Sequence, residues 1–243
     1  MKAVILAAGD GGRLGSLTVH RPKSLLSVAG RPVIDHVVAS LARAGLRDLV
    51  VVLGYRGEML QEHLGDGSRL GVHIDYVLNP QYRWGSARSL WCAREAVGGQ
   101  PFLLAMGDHM CSVRLVRTLC ASAGERSTLA TDFSDLGPER TEEATKVLVS
   151  PDRRVLEIGK GLPRWNALDT GVFYCLPAIF DLLSPELREG ELSRVFSALA
   201  RGDGGRGGLL ACDVTGGFWL DVDTEADLRL AEALLERDVT LLA

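Results

Sequence analysis

A glycine-rich turn near the start of the chain brings together residue types that bind phosphate. An apolar run ends at Leu6 and leads into Ala-Ala-Gly-Asp-Gly-Gly, which is followed by Arg13 and, shortly after, by Pro22 and Lys23. Glycines let backbone N–H groups approach phosphate oxygens closely, and the Arg and Lys side chains supply positive charge. The segment therefore predicts a binding site for the phosphates of a small ligand.

Two other phosphate-binding loops share some of these features. A P-loop ends in Gly-Lys-Ser or Gly-Lys-Thr, whereas the similar tripeptide here is Pro-Lys-Ser at 22–24. A dinucleotide-binding loop expects an acidic residue about 20 positions later, at the end of the second strand, but the second apolar run ends in Leu-Gly-Tyr at 53–55. A tight turn made by glycines alone is the remaining alternative, and the nearby positive charges favour the phosphate site over it.

Carboxylates that follow apolar runs are candidates for metal binding. Asp108 ends one such run, and Asp221 and Asp223 end another near the C-terminus. A carboxylate at the end of a strand lies at the ligand-binding edge of an α/β sheet, and its oxygens suit Mg²⁺. We therefore predict a Mg²⁺ site made by Asp108 with Asp221 or Asp223. The choice between the last two stays open, because Thr224 and Asp227 also form a capping-box pattern that begins a helix here.

The elements that must position these residues follow from the apolar pattern. Short apolar runs alternate with segments of helical period, which predicts strands joined by helices in a parallel sheet that is covered on both faces. Ligands of such folds bind at the carboxyl ends of the strands. The predicted strands span residues 3–6, 49–53, 72–78 and 102–106, and the predicted helices span residues 33–41, 59–64 and 87–96.

The second half of the chain is less regular. A turn at 150–153 between strand-like segments predicts a β-hairpin inserted at about 140–165. No linker or repeat divides the sequence, so we expect a single domain over residues 1–243. The further predicted elements are strands at 128–132, 146–149, 155–158, 167–175 and 218–221, and helices at 114–121, at 192–200 and from about residue 224.

Composition limits the classes of partner and compartment. The formal net charge of −4 argues against nucleic acid and anionic lipid surfaces, so small-molecule substrates are expected. The five cysteines form no CxxC pair, and none of the five histidines has a metal-ligand spacing or is given a chemical role. Neither a signal peptide nor an apolar run of about 20 residues is recognisable, which favours a cytoplasmic protein without a transmembrane segment.

The pattern LAAGxGxR at 6–13 followed by Pro-Lys, together with W-x-D-x-D-T at 219–224, resembles the sugar-phosphate nucleotidyltransferase family. The resemblance implies a Rossmann-like three-layer αβα fold with a mainly parallel, mixed central sheet. It also implies that an acceptor phosphate attacks the α-phosphorus of an NTP and that Mg²⁺, Arg13 and Lys23 offset the charge as pyrophosphate leaves. The residues that it implies for nucleotide binding are Leu6, Ala7, Ala8, Gly9, Gly11, Gly12, Arg13, Lys23, Asn79, Gly85 and Ser89.

Three later segments, at 144–147, 157–160 and 169–173, look like the CTP:inositol-1-phosphate cytidylyltransferase subgroup. The resemblance implies that CTP and inositol 1-phosphate are condensed to CDP-inositol. Lys146 and Lys160 would then contact the acceptor phosphate as catalytic residues, and Asp169 and Thr170 would contribute to acceptor binding. Ser86 departs from the Asn that often follows the glycine of the base-binding loop, so the identity of the base stays open.

Other functions remain as alternatives. The enzyme could use phosphocholine, which would call for an aromatic cage around the quaternary ammonium, or another sugar 1-phosphate. A nucleotide-sensing subunit without catalysis is a further alternative, which the joint presence of Arg13, Lys23, Asp108 and Asp221 argues against. The product is expected to pass to a separate membrane synthase, and the choice between monomer and homodimer stays open.

Overall fold

The structure, a computed structural model, describes residues 1–137, 141–142, 144–183, 190–202, 208–238 and 240–243. The predicted hairpin region at about 140–165 is therefore described except for residues 140 and 143. The strands are β1 (Lys2–Ala7), β2 (Ser27–Val28), β3 (Arg31–Pro32), β4 (Asp48–Leu53), β5 (His73–Leu78), β6 (Phe102–Met106), β7 (His109–Cys111), β8 (Thr128–Asp132), β9 (Lys146–Val149), β10 (Val155–Gly159), β11 (Ala167–Cys175), β12 (Leu210–Asp213) and β13 (Trp219–Asp221).

The helices connect these strands. The α-helices are α1 (Val33–Arg43), α2 (Gly57–Leu64), α3 (Ser86–Cys92), α4 (Arg94–Val97), α5 (Val113–Ala121), α6 (Leu192–Ala200) and α7 (Glu225–Arg237). The 3₁₀ helices are Gly12–Leu17, Lys23–Leu25, Ser68–Leu70, Tyr82–Trp84 and Pro177–Leu182.

The first half of the chain forms the parallel part of the main sheet. β1 pairs in parallel with β4 and β6, and β4 pairs in parallel with β5. The sequence of β1 is almost entirely apolar because helices cover both faces of the sheet at this point. The predicted alternation of strands and helices is confirmed.

Antiparallel strands extend the sheet beyond β6. β11 runs antiparallel to β6, β8 and β9, and β12 pairs in parallel with β8. The predicted hairpin forms as β9 and β10, and it continues the main sheet instead of standing apart from it. The central sheet is therefore mixed, as the family resemblance implied.

Alternating side chains of β1 pack into two separate cores, because successive residues of a strand point to opposite faces. Ala3 and Ile5 pack with residues of α1, α2 and α5. Val4 and Leu6 pack with residues of α3 and α6. The sheet is thus the middle of three layers, which confirms the predicted αβα architecture.

A small two-stranded ribbon carries acidic residues to the edge of the sheet. β7 begins directly after Asp108 and pairs with β13, which places Asp221 opposite His109. Met110 and Leu220 of the ribbon are buried in a third core with residues of α7. This pairing brings carboxylates that are distant in sequence to one place.

The observed elements differ from the predicted ones mainly where the pattern is short. The predicted helix at 87–96 is divided at Ala93 into α3 and α4. The strands β2, β3, β7 and β12 were not predicted, because strands this short contain little periodicity. None of the helices in the described ranges has the length and apolar character that crossing a membrane requires.

The start of α7 is held by a capping box directly after the acidic segment. The Thr224 hydroxyl accepts a hydrogen bond from the Asp227 backbone N–H at 3.2 Å, and the Asp227 carboxylate accepts one from the Thr224 N–H at 2.7 Å. The same carboxylate accepts from the N–H of Asp223 at 3.1 Å. Helix capping therefore also fixes the backbone that carries Asp223.

Replacing the capping hydroxyl should destabilise the protein. We expect Thr224→Ala to lower the free energy of unfolding by about 1 kcal/mol, because a helix N–H then loses its acceptor. Thr224→Ser keeps the hydroxyl and should stay close to the wild type. Urea unfolding followed by circular dichroism measures both, and equal stability of Thr224→Ala and the wild type would contradict the cap.

Candidate active site

A cavity of about 510 Å³ opens at the carboxyl ends of β1 and β6. Its walls come from the glycine-rich loop, from the segment that leads into α3, and from residues beside α6 and β13. The lining residues are Leu6, Ala7, Ala8, Gly9, Asp10, Gly11, Gly12, Arg13, Lys23, Ser24, Tyr82, Gly85, Ser86, Ser89, Met106, Gly107, Asp108, Glu191 and Asp223.

Most residues predicted to bind the nucleotide line this cavity, and Asn79 is the exception. Asn79 is completely buried beneath it. Its side-chain amide donates to the Ser89 hydroxyl at 3.0 Å, and its carbonyl oxygen accepts from the Gln81 N–H at 3.0 Å. Asn79 is therefore placed to hold Ser89 and the loop before α3, and it does not line the cavity itself.

The segment after β4 stabilises the glycine-rich loop through hydrogen bonds. The Tyr55 N–H donates to the Ala8 carbonyl at 2.9 Å, and the Tyr55 hydroxyl donates to the Val19 carbonyl at 2.8 Å. Arg56 Nε donates to the same Val19 carbonyl at 3.2 Å. Neither Tyr55 nor Arg56 was predicted from the sequence to have a role. Their contacts hold both ends of the segment that carries Arg13.

Positive and negative side chains are interleaved at the floor of the cavity. The Lys23 ammonium bonds Asp108 and lies 2.5 Å from Asp223 Oδ1, while Arg13 bonds the other oxygen of Asp223. Burial opposes the charged form of Lys23, but the surrounding carboxylates outweigh it and raise the pKa of Lys23 above its usual value. Lys23 is therefore a fixed cation at neutral pH.

The carboxylates respond to this cation in turn. Burial opposes their ionisation, but the charge of Lys23 holds the pKa values of both Asp108 and Asp223 below the usual range. The pKa of Asp221 is instead raised, because burial outweighs the attraction of His109. Asp221 is thus the least compensated of the three carboxylates.

Asp108, His109 and Asp221 form a cluster whose ligand atoms lie within 4.8 Å of one another. His109 Nε2 lies 3.2 Å from Asp221 Oδ2. Burial would lower the pKa of His109, but the charge of Asp221 outweighs it and raises that pKa to about 9. No sequence pattern revealed His109, because its partner Asp221 reaches it only through the pairing of β7 with β13.

The donor set of this cluster fits a divalent cation. One oxygen of Asp108 and one of Asp221 are buried and have no hydrogen-bond partner among the described residues. Buried carboxylate oxygens are costly unless a charge or donor compensates them, and hard cations such as Mg²⁺ prefer such ligands. In Asp223, by contrast, both oxygens are bonded to Arg13 and Lys23. The geometry therefore favours Asp221 over Asp223 as the partner of Asp108.

Asp169 lies on β11 and interacts electrostatically with His109. Its carboxylate accepts from the Gly171 N–H at 2.7 Å, and burial raises its pKa to about 6. Its charge adds to those that raise the pKa of His109. Asp169 therefore belongs to the same electrostatic cluster as Asp221, although it does not line the 510 Å³ cavity.

The other residues predicted to bind the acceptor are placed differently. Thr170 is completely buried and its hydroxyl donates to the Ala130 carbonyl at 3.0 Å, so the predicted contact between its side chain and the acceptor does not fit. Strand alternation explains this, because Thr170 points to the face opposite Asp169. The Lys146 ammonium donates to the Lys160 carbonyl at 3.2 Å, and the Lys160 side chain is exposed. Both lysines lie outside the 510 Å³ cavity.

The imidazole of His109 packs directly against Gly171, where the backbone has a φ of 76°. A Cβ atom at this position would lie 2.3 Å from His109 Nδ1. We expect Gly171→Ala to lower the free energy of unfolding by about 1–2 kcal/mol through the backbone and by about 1–3 kcal/mol more through the clash.

A matched control separates these two effects. Gly216 has a φ of 80°, but the nearest atom to its added Cβ would lie 3.9 Å away. Gly216→Ala should therefore cost only the backbone part, as measured by urea unfolding of both variants. Equal losses in the two variants would show that Gly171 does not confine His109.

Comparison with known proteins places this architecture in a family. Residues 2–236 match the family described as nucleotidyl transferase. A bifunctional IPC transferase and DIPP synthase of Rubrobacter xylanophilus is 36% identical over 96% of this chain and 51% of that protein. An N-acetylmuramate alpha-1-phosphate uridylyltransferase of Neisseria meningitidis serogroup B is 32% identical over 96% of this chain and 98% of that protein.

Solved structures show the same fold. The inositol-1-phosphate CTP transferase from T. maritima is 27% identical with a TM-score of 0.81, and the match covers 97% of this chain and 96% of that one. A putative glucose-1-phosphate thymidylyltransferase from Bacillus anthracis is 25% identical with a TM-score of 0.82, covering 98% and 96% of the two chains. The chain spans about half the length of the bifunctional relatives that it matches. It belongs to the nucleotidyl transferase family.

Proposed function

We propose that the protein condenses CTP with inositol 1-phosphate to give CDP-inositol and pyrophosphate. The main support for this proposal is the cavity, which is lined by the glycine-rich loop, Lys23 and Asp108. The cluster that contains Asp221 and Asp169 lies beside it. The names of the bifunctional relatives and of the T. maritima structure supply the choice of CTP and inositol 1-phosphate.

In the proposed reaction, a phosphate oxygen of the acceptor attacks the α-phosphorus of CTP, and the bond to pyrophosphate breaks. The acceptor phosphate is already ionised at neutral pH, so the protein needs no general base. The main barrier is the repulsion between anionic reactants, which positioning and fixed positive charge reduce.

The basic residues would act through fixed charge. Lys23 remains protonated because its carboxylate neighbours raise its pKa, so its ammonium is available to the nucleotide phosphates at physiological pH. Arg13 lies in the same loop and lines the same cavity, where its planar guanidinium suits phosphate oxygens. The tie between Tyr55 and Val19 would keep the loop in position as pyrophosphate leaves.

We assign the metal site to Asp108 and Asp221, with Asp223 as the carboxylate that holds Arg13 and Lys23. A Mg²⁺ ion bound there would offset negative charge on the phosphate oxygens of the nucleotide. Asp169, close to His109 and Asp221, would accept hydrogen bonds from hydroxyl groups of the acceptor. Lys146 and Lys160 would attract the acceptor phosphate from the hairpin of β9 and β10.

Two further parts of the proposal concern the surroundings of the reaction. The cysteines Cys92, Cys111, Cys120, Cys175 and Cys212 are free thiols, which supports a reducing compartment such as the cytoplasm. The second activity in the names of the bifunctional relatives supports transfer of CDP-inositol to a further enzyme, a synthase.

The Neisseria relative favours one alternative, a sugar 1-phosphate as acceptor with UTP as donor, because it matches over nearly its whole length. A phosphocholine enzyme gains no such support. Among the described residues that line the cavity, Tyr82 is the single aromatic side chain, whereas a cage around a quaternary ammonium needs several. Trp219 is instead buried, and its indole N–H donates to Asp132 at 2.8 Å.

The proposed pair of substrates makes a direct prediction. Purified protein with Mg²⁺ should release pyrophosphate from CTP and inositol 1-phosphate, and much less from UTP, ATP or GTP or with phosphocholine or glucose 1-phosphate. A coupled pyrophosphate assay over all combinations measures this. Turnover only with UTP and a sugar 1-phosphate would contradict the proposal and support the alternative.

The metal assignment predicts different effects at neighbouring carboxylates. Asp108→Asn and Asp221→Asn should weaken Mn²⁺ binding by about tenfold to a hundredfold or more, since loss of a mere outer-sphere partner already costs that much. Asp223→Asn should have a smaller effect, because its oxygens bond Arg13 and Lys23.

Calorimetric titration with Mn²⁺ measures the affinity of each variant. The control is Glu58→Gln, because Glu58 is exposed on α2 outside the cavity and should leave the affinity unchanged. A larger loss in Asp223→Asn than in Asp221→Asn would reverse the assignment.

A further inference from the structure

Glu191 is a carboxylate in the wall of the cavity, where Asp108 and Asp223 bond Lys23 but Glu191 bonds Ser86. Its carboxylate is exposed and lines the cavity together with Arg13 and Lys23. The family resemblance drew attention only to its neighbour Ser86, where this sequence departs from the usual Asn. A carboxylate in this place needs a hydrogen-bond donor of the ligand opposite it, since phosphate would repel it.

The Glu191 carboxylate is held in one orientation by Ser86. The Ser86 hydroxyl donates to Glu191 Oε2 at 3.1 Å and accepts from the Leu192 N–H at 3.0 Å. The Ser86 hydroxyl therefore acts as both a donor and an acceptor. Among the described residues, no hydrogen bond to the second oxygen of Glu191, Oε1, is found, so this oxygen is available to a ligand.

The backbone under Glu191 is docked tightly on the loop before α3. The Gly190 N–H donates to the Trp84 carbonyl at 3.0 Å, and the Ala87 N–H donates to the Gly190 carbonyl at 2.9 Å. A Cβ atom on Gly85 would lie 2.5 Å from the Gly190 carbonyl oxygen, so only glycine permits this approach. Glu191 is thus a fixed part of the wall that Gly85 and Ser86 form.

The basic side chains of the cavity come from a different segment of the chain than this wall. Lys23 is bonded to Asp108 and Asp223, and Arg13 is bonded to Asp223. Arg13 and Lys23 are the basic side chains among the lining residues, so the phosphates are drawn toward them. The wall with Gly85, Ser86 and Glu191 then faces the nucleoside part of the nucleotide.

We propose that Glu191, held by Ser86, accepts a hydrogen bond from the amino group at C4 of cytosine and thereby favours CTP over UTP. Cytosine carries a donor at this position, whereas uracil carries a carbonyl oxygen that a carboxylate repels. The inference rests on the proposed use of CTP and adds the residue that selects the base.

The test replaces the Glu191 carboxylate, which can only accept hydrogen bonds, with an amide, which can also donate them. Glu191→Gln has almost the same size, and its amide can donate to the O4 of uracil. The ratio of kcat/KM for CTP to that for UTP should fall by about tenfold or more, the usual effect of one hydrogen bond to a charged group. The change should lie in KM, because the base is bound equally before and during the reaction. Ser86→Ala should shift the ratio in the same direction by less.

Controls separate the base from other contacts. Glu58→Gln should leave the ratio unchanged. The ratio of CTP to dCTP should be the same in the wild type and Glu191→Gln; if only this ratio changes, Glu191 contacts the ribose and the inference is overturned. For a variant without turnover, competition between CTP and UTP for binding gives the same comparison.

The outcomes also distinguish the inference from the proposed function. A wild type that uses CTP, with an unchanged ratio in Glu191→Gln, overturns the role of Glu191 and leaves the proposed reaction standing. A wild type that uses UTP and not CTP overturns both.

Discussion

Three carboxylates, those of Asp108, Asp221 and Asp223, meet at one edge of the sheet, and they can be ionised together only if positive charge lies among them. Lys23 supplies part of that charge through Asp108 and Asp223, and Arg13 adds to it at Asp223. The remaining buried oxygens of Asp108 and Asp221 have no hydrogen-bond partner in the described ranges. Burial of such a cluster is costly unless positive charge compensates it. A cation that binds there together with a polyphosphate would supply such charge, which fits the composition of the cluster.

The rest of the fold can be understood as the support of this cluster. The parallel strands β1 and β6 end beneath it, so the glycine-rich loop and Asp108 start from adjacent, largely buried strands. The ribbon of β7 and β13 then brings Asp221 opposite His109, and the capping box at Thr224 fixes the chain where Asp223 lies. Core packing on both faces of the sheet thereby sets distances among groups that the sequence keeps far apart.

The sequence predicted the parts of this arrangement that depend on local patterns. The glycine-rich loop, Lys23 and Asp108 could be recognised because strand ends and loop composition are local features. Contacts between distant segments were not accessible in this way, so His109, which meets Asp221 through strand pairing, and Glu191, which contacts Ser86 at the start of α3, were missed. Thr170 was grouped with Asp169 by proximity in the sequence, although strand alternation directs it into the core. Asn79 was placed in the nucleotide site, whereas its buried amide supports Ser89 from below.

The central claim is that the acceptor phosphate becomes joined to the α-phosphorus of CTP. It is tested most directly with inositol 1-phosphate whose phosphate oxygens are ¹⁸O, followed by mass spectrometry of the products. The proposed reaction predicts CDP-inositol that carries all of the ¹⁸O, including the bridge between its two phosphorus atoms, and pyrophosphate without label. Labelled pyrophosphate, or a product in which the bridging oxygen comes from CTP, would contradict attack by the acceptor phosphate and with it this account of the site.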